Sequence, residues 1–120
     1  KKLAINVLDP IKAKYPNMIL TSDGDPRELI MDAGIEKSDH LTGCAADIQL
    51  TGFNRQQHYE AIIEIQKIIP KYKQLILEYK GRSTWIHVSY KEDDLRCQNF
   101  TMDAAINKTI QPSGKFIYRP

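Results

Sequence analysis

The run QLILEYKGRSTWIHVSY, residues 74–90, constrains this chain more than any other stretch. Two strand-like segments, QLILEY and WIHVSY, are joined by KGRST, a spacing suited to a hairpin with a short loop. Alternation divides each segment between two faces. Leu75, Leu77 and Tyr79 oppose Ile76 and Glu78, while Trp85, His87 and Ser89 oppose Ile86, Val88 and Tyr90. A glutamate and a histidine inside such strands need a reason. If the strands pair, Glu78 stands near His87; an exposed edge position is the other explanation for the glutamate.

The same alternation recurs upstream. From Cys44 to Leu50 it puts Ala46, Ile48 and Leu50 on one face and Ala45, Asp47 and Gln49 on the other, so Asp47 faces away from the core. NMILTS reads as a short buried strand. Residues 2–15 carry Leu3, Val7, Leu8 and Ile11 at helical spacing, with Asp9 and Pro10 marking a kinked or restarted helix. DPRELIMDAG is expected to be a second short helix, capped by Asp25, with Pro26 at its first position and Gly34 closing it. NRQQHYEAIIEIQKIIP predicts a longer amphipathic helix with Asn54 as its cap, Pro70 after it, and Tyr59, Ile62, Ile63, Ile65, Gln66 and Ile69 around the stripe. His58 falls on its polar side and is expected to be solvated. The tail NKTIQPSGKFIYRP is expected to form an edge strand or a contact with other parts of a parent protein. Together these elements predict an α+β fold, helices packed on a mostly antiparallel sheet.

Composition limits the alternatives. With 120 residues, 42% hydrophobic and 27% charged, the chain suits one domain over residues 1–120. A net charge of +2 with scattered lysines lacks the footprint of a nucleic-acid binder. No apolar run approaches the roughly 20 residues of a membrane span, and KKLAINVLDP has no signal-peptide layout. The missing initiator methionine fits processing or excision from a longer protein. Cys44 and Cys97 match no zinc-finger or redox spacing and are expected to be buried free thiols.

His40, Asp47 and His87 would offer two imidazoles and a carboxylate, a set that zinc accepts in hydrolytic sites with one position left open. A water held there is acidified towards neutrality and made nucleophilic. Gly43 supplies a backbone shape that other residues resist, although an ordinary turn explains it equally. Trp85 is either a core aromatic or a wall of the site. Ser89 is either a support for the site or a surface residue.

SDHLTGCAADI resembles the Ser-x-His-x-x-Gly-x-Ala-x-Asp signature of zinc peptidases that cleave peptidoglycan stem peptides, the D-alanyl-D-alanine carboxypeptidase and peptidoglycan peptidase family. WIHVSY resembles that family's second signature, Trp-x-His-Val-Ser, and the likeness extends thinly from VLDPIKAKYP to about Tyr90. The resemblance implies Zn2+ held by His40, Asp47 and His87, with Glu78 as catalytic base. It also implies the fold shared with the amino-terminal signalling domain of Hedgehog proteins, where a glutamate likewise precedes the last zinc histidine on a neighbouring strand. Many members carry an acidic base three positions before that histidine. Here the position is Thr84, so the role passes to Glu78 or is absent. Members also show Ser-Gly-Tyr-Arg after the first strand, whereas here Asp25 takes the arginine's place and Arg27 follows two residues later as a candidate for gripping a substrate carboxylate. Ser38 helps fix the loop before His40, and Trp85 and Ser38 complete the candidate substrate side. The implied partner is a peptidoglycan peptide, met in the periplasm or cell wall by a wall-remodelling enzyme or by part of a phage particle or lysis system. A non-catalytic zinc-binding interaction domain of the same fold is the alternative.

Overall fold

Gly81 is the corner on which the hairpin turns. Its φ of +57° lies in the left-handed region that side chains other than glycine's resist, and it lets β4 (Gln74–Lys80) reverse into β5 (Ser83–Ser89) through only Gly81 and Arg82. The loop is thus shorter than KGRST suggests, because Lys80, Ser83 and Thr84 are already paired in the strands. The computed structural model describes residues 3–22, 25–27, 45–91, 93–103, 108–110 and 116–118.

Besides the hairpin, the described elements are a π-helical turn over Ala4–Leu8 running into α1 (Asp9–Lys14), β1 (Met18–Ser22), β2 (Asp25–Arg27), β3 (Ala45–Leu50), α2 (Arg55–Ile68), β6 (Gln98–Asp103) and β7 (Lys108–Ile110). The strands form one seven-stranded sheet in the order β2-β1-β3-β5-β4-β6-β7. Every pairing is antiparallel except β4 with β6. The expected α+β arrangement of helices with a mostly antiparallel sheet is present. Neither helix is long and apolar enough to cross a membrane.

The helical segments lie over one face. Leu3, Val7 and Ile11 from the first segment, Ile62 and Ile65 from α2 and Ile69 just after it join Ile48, Leu50, Leu75, Leu77, Ile86 and Val88 in a single apolar cluster. Each such side chain, fully withdrawn from water, contributes about 1.5–3 kcal/mol. Pro10 explains the restart in the first helix, since it cannot donate to the carbonyl of Asn6 and stands at the start of α1. Residues 116–118 lie against β4 and β6. Tyr79 Oη donates to the Ile117 carbonyl, and the Ile117 amide donates to Thr101 Oγ1, both at 2.8 Å.

Four expectations are corrected. Asp25 is not a helix cap: residues 25–27 form the outermost strand, where Pro26 is tolerated because an edge strand need not bond on both sides. Residues 28–34 of that predicted helix, and Cys44, lie outside the described residues. Gln66 is exposed rather than part of the apolar stripe. Cys97 is a half-buried thiol, not a buried one, and adopts a φ of +50°. Finally, His58 is not solvated but 2% exposed.

His58 locks the end of β3 to the start of α2. Asn54 caps α2 reciprocally: its side chain accepts from the Gln57 amide, and the Gln57 side chain accepts from the Asn54 amide. One turn on, His58 Nδ1–H donates to the Asn54 carbonyl at 2.9 Å, leaving Nε2 to accept from the Leu50 amide at 3.0 Å. This pattern requires the neutral ring.

Burial therefore lowers the His58 pKa from its ordinary 6.5, partly offset by the Asn54 carbonyl. Below pH 6.5 the unfolded chain takes up a proton that the folded chain refuses, so stability falls as pH drops from 6.5 towards the folded pKa and is fully present above 6.5. Urea unfolding in chelator should show wild type losing more stability between pH 7.5 and 5.5 than His58→Gln does. At pH 7.5 the variant should itself be less stable by about 1–3 kcal/mol. Equal losses in the two proteins would remove His58 from this role.

Candidate metal centre

The register of the central strands brings the candidate residues together. β3 pairs with β5 so that Asp47 stands opposite His87, and β4 pairs with β5 so that Glu78 stands opposite Trp85 and Ile76 opposite His87. Directly opposed residues share a face. All five therefore lie on the face away from the helices.

His87 Nδ1 and Asp47 Oδ1 are 2.9 Å apart, with both side chains largely withdrawn from solvent. Against an ionised carboxylate the imidazole carries its proton on Nδ1 and donates it, which fixes the ring's orientation. Trp85 Nε1–H donates to Glu78 Oε2 at 2.6 Å. The Trp85 ring is 1% exposed, so what it presents to the site is the indole N–H that holds Glu78.

Among the described residues, Asp47, Glu78 and His87 form one cluster whose ligand atoms all lie within 4.8 Å of one another and could hold a metal ion. The donor set suits the task. Zinc accepts imidazole nitrogen and carboxylate oxygen at about 2.0–2.2 Å, and in tetrahedral arrangement this puts neighbouring donor atoms roughly 3.3 Å apart. The Asp47 and His87 atoms, 2.9 Å apart, are within a few tenths of an ångström of that spacing, so a cation bound between them would take the place of the Nδ1 proton.

Thr84 cannot stand in for an acid. Three positions before His87 is an odd step along a strand, and the residue opposes Tyr79 on the core face, 4% exposed. A carboxylate there would be buried among apolar groups. Glu78, across the hairpin, is the acid that the register brings to His87's side of the sheet.

His40 and Ser38 lie outside the described residues, as does Gly43. Arg27 ends β2 and pairs with Leu20, whereas the residue opposite Asp47 on β1 is Thr21. Ser89 is wholly buried, and its hydroxyl accepts from the Gln74 amide at 3.1 Å, so it fastens β5 to the start of β4. Sequence reasoning passed over Thr21. The available signal was its alternation with Ile19 in NMILTS, but only the β1–β3 register gives that alternation a neighbour.

Comparison with known proteins leaves this geometry to stand alone: no family model, no curated protein and no solved structure matches the chain.

The cluster predicts one divalent metal ion per chain. Plasma emission on protein loaded with zinc and desalted should give one equivalent for wild type. It should give little for Asp47→Ala or His87→Ala, and equal metal in all three would reject the cluster as the site.

Proposed function

We propose that this chain is a zinc-dependent peptidase that hydrolyses peptide bonds in the stem peptides or cross-links of bacterial peptidoglycan, built on the fold shared by D-alanyl-D-alanine peptidases and Hedgehog signalling domains. One observation carries the reading. Asp47 and His87, which come from two separate signature-like segments, are in contact across the sheet, with Glu78 in the same cluster. Chance similarity of two short segments gives no reason for their acidic and imidazole groups to converge.

In this reading Asp47 and His87 hold the metal with His40, the ligand that the first signature supplies. Zinc in such a site polarises a scissile carbonyl and eases deprotonation of a water. Glu78 takes a proton from the attacking water and returns it to the leaving amine. Trp85 keeps the Glu78 carboxylate in place through its indole N–H, while Arg27 and Ser38 serve the substrate side. Such a protein acts in the periplasm or cell wall, as a host remodelling enzyme or within a phage particle or lysis system.

The competing reading is a zinc-binding interaction domain without catalysis. Glu78 favours the enzyme, because a carboxylate in the cluster fixed by a buried donor is arranged as a base would be. Incubation with purified peptidoglycan, followed by mass spectrometry for new amino termini or released alanine, separates the two. Wild type should release fragments. Glu78→Gln should keep its fold and zinc while losing about 10²–10⁴-fold in rate, the usual contribution of a positioned acid–base group. Near-normal turnover by the variant would reject Glu78 as base, and no cleavage of any wall fragment by wild type would favour the interaction domain.

A further inference from the structure

Thr21 carries a polar atom without a partner in a place where one is costly. The residue is 5% exposed, and its Oγ1 is buried with no hydrogen-bond partner among the described residues. Burying such a group unsatisfied forfeits its hydrogen bonds to water with nothing in return. Its position gives the cost a meaning. In the β1–β3 register Thr21 stands directly opposite Asp47, and opposed residues on an antiparallel pair have Cβ atoms about 4.5–5.5 Å apart on the same face. Its partner on the other side, in β2, is Pro26, whose side chain has no hydrogen-bonding group. Asp47 is thus the polar neighbour that the pairing supplies.

The Asp47 carboxylate has more acceptor capacity than His87 uses. His87 Nδ1 contacts Oδ1, and a carboxylate offers about four lone-pair sites over its two oxygens. A carboxylate that ligates through one oxygen needs a donor on the other to hold its plane, and such supporting hydrogen bonds typically change metal affinity about 10–100-fold.

We propose that Thr21 is a positioning residue of the metal centre: its hydroxyl donates to the Asp47 oxygen that does not hold the cation and fixes the carboxylate for ligation. This rests on the metal-site reading above. The Thr21 hydroxyl is a buried donor in need of an acceptor, and the second Asp47 oxygen is an acceptor in need of a donor when the first one ligates. A hydroxyl that merely filled space in the sheet would gain nothing from a metal ion.

The test uses Thr21→Val, which keeps the branched shape and removes the hydroxyl, Thr21→Ser, which keeps the hydroxyl, and Thr84→Val. Thr84 is the control because its Oγ1 is equally buried and unpartnered but lies on the core face. Zinc affinity is measured by competition with a chromophoric chelator, and thermal unfolding in excess chelator. Thr21→Val should bind zinc about 10–100-fold more weakly while its metal-free Tm stays equal to or above that of wild type. Thr21→Ser should bind within a few-fold of wild type, and Thr84→Val should bind as wild type does. Unchanged affinity in Thr21→Val would overturn the proposal while leaving the metal centre intact, as would weakened binding accompanied by a lower metal-free Tm, which marks a merely structural residue. Absence of zinc binding by wild type would remove the centre itself.

Discussion

The pairing of β3 with β5 in one particular register is the constraint on which the site depends. It sets Asp47 against His87 and, through the hairpin, puts Glu78 and Trp85 on the same face. A slip of one residue in either strand would send Asp47 or His87 into the apolar layer, because side chains alternate with a period of two. The register is held by that layer itself. Ala46, Ile48, Leu50, Ile86 and Val88 are buried beneath the helices, so any slip that misplaced the polar residues would also pull these out of their packing against the helices. The packing of one face thereby enforces the chemistry of the other.

This division of labour explains why Asp47, Glu78 and Gln49 on the second face can be withdrawn from solvent at little net cost. Asp47 is answered by His87, Glu78 by the Trp85 indole, and the Gln49 amide donates to the Thr84 carbonyl at 2.9 Å. Buried polar groups are tolerated when they are satisfied by one another, and such networks hold side chains in a single arrangement. On the helical side His58 follows the same rule, with both ring nitrogens engaged by backbone groups of β3 and α2.

Period-two alternation made the central strands and the faces of Asp47, Glu78, Trp85 and His87 legible in the sequence, because these strands bury one face under helices with Ile48, Leu50, Leu75, Leu77, Ile86 and Val88 at every second position. Asn54 was legible as a cap for a local reason, its reach to the amide three residues on. What escaped was non-local. His58 reads as a polar helix residue until the chain bends back and gives it the Leu50 amide. Asp25 and Pro26 carry a helix-start pattern that pairing with β1 overrides. Thr21 is a β-branched strand residue like many others, and its interest comes wholly from what stands opposite it.

The order in which these contacts can form follows from how far apart their partners lie along the chain. Glu78, Trp85 and His87 belong to one hairpin, whose ends meet on a timescale of about 1–10 μs. Asp47 lies 40 residues from His87, and bringing it in requires closing a loop that includes all of α2, an entropic cost met before the contact repays it. The hairpin half of the site is therefore assembled while the other half is still a distant part of an open chain. Any cation held by Asp47 and His87 together would belong to the finished sheet alone, so its occupancy would report completed folding rather than any partly paired intermediate.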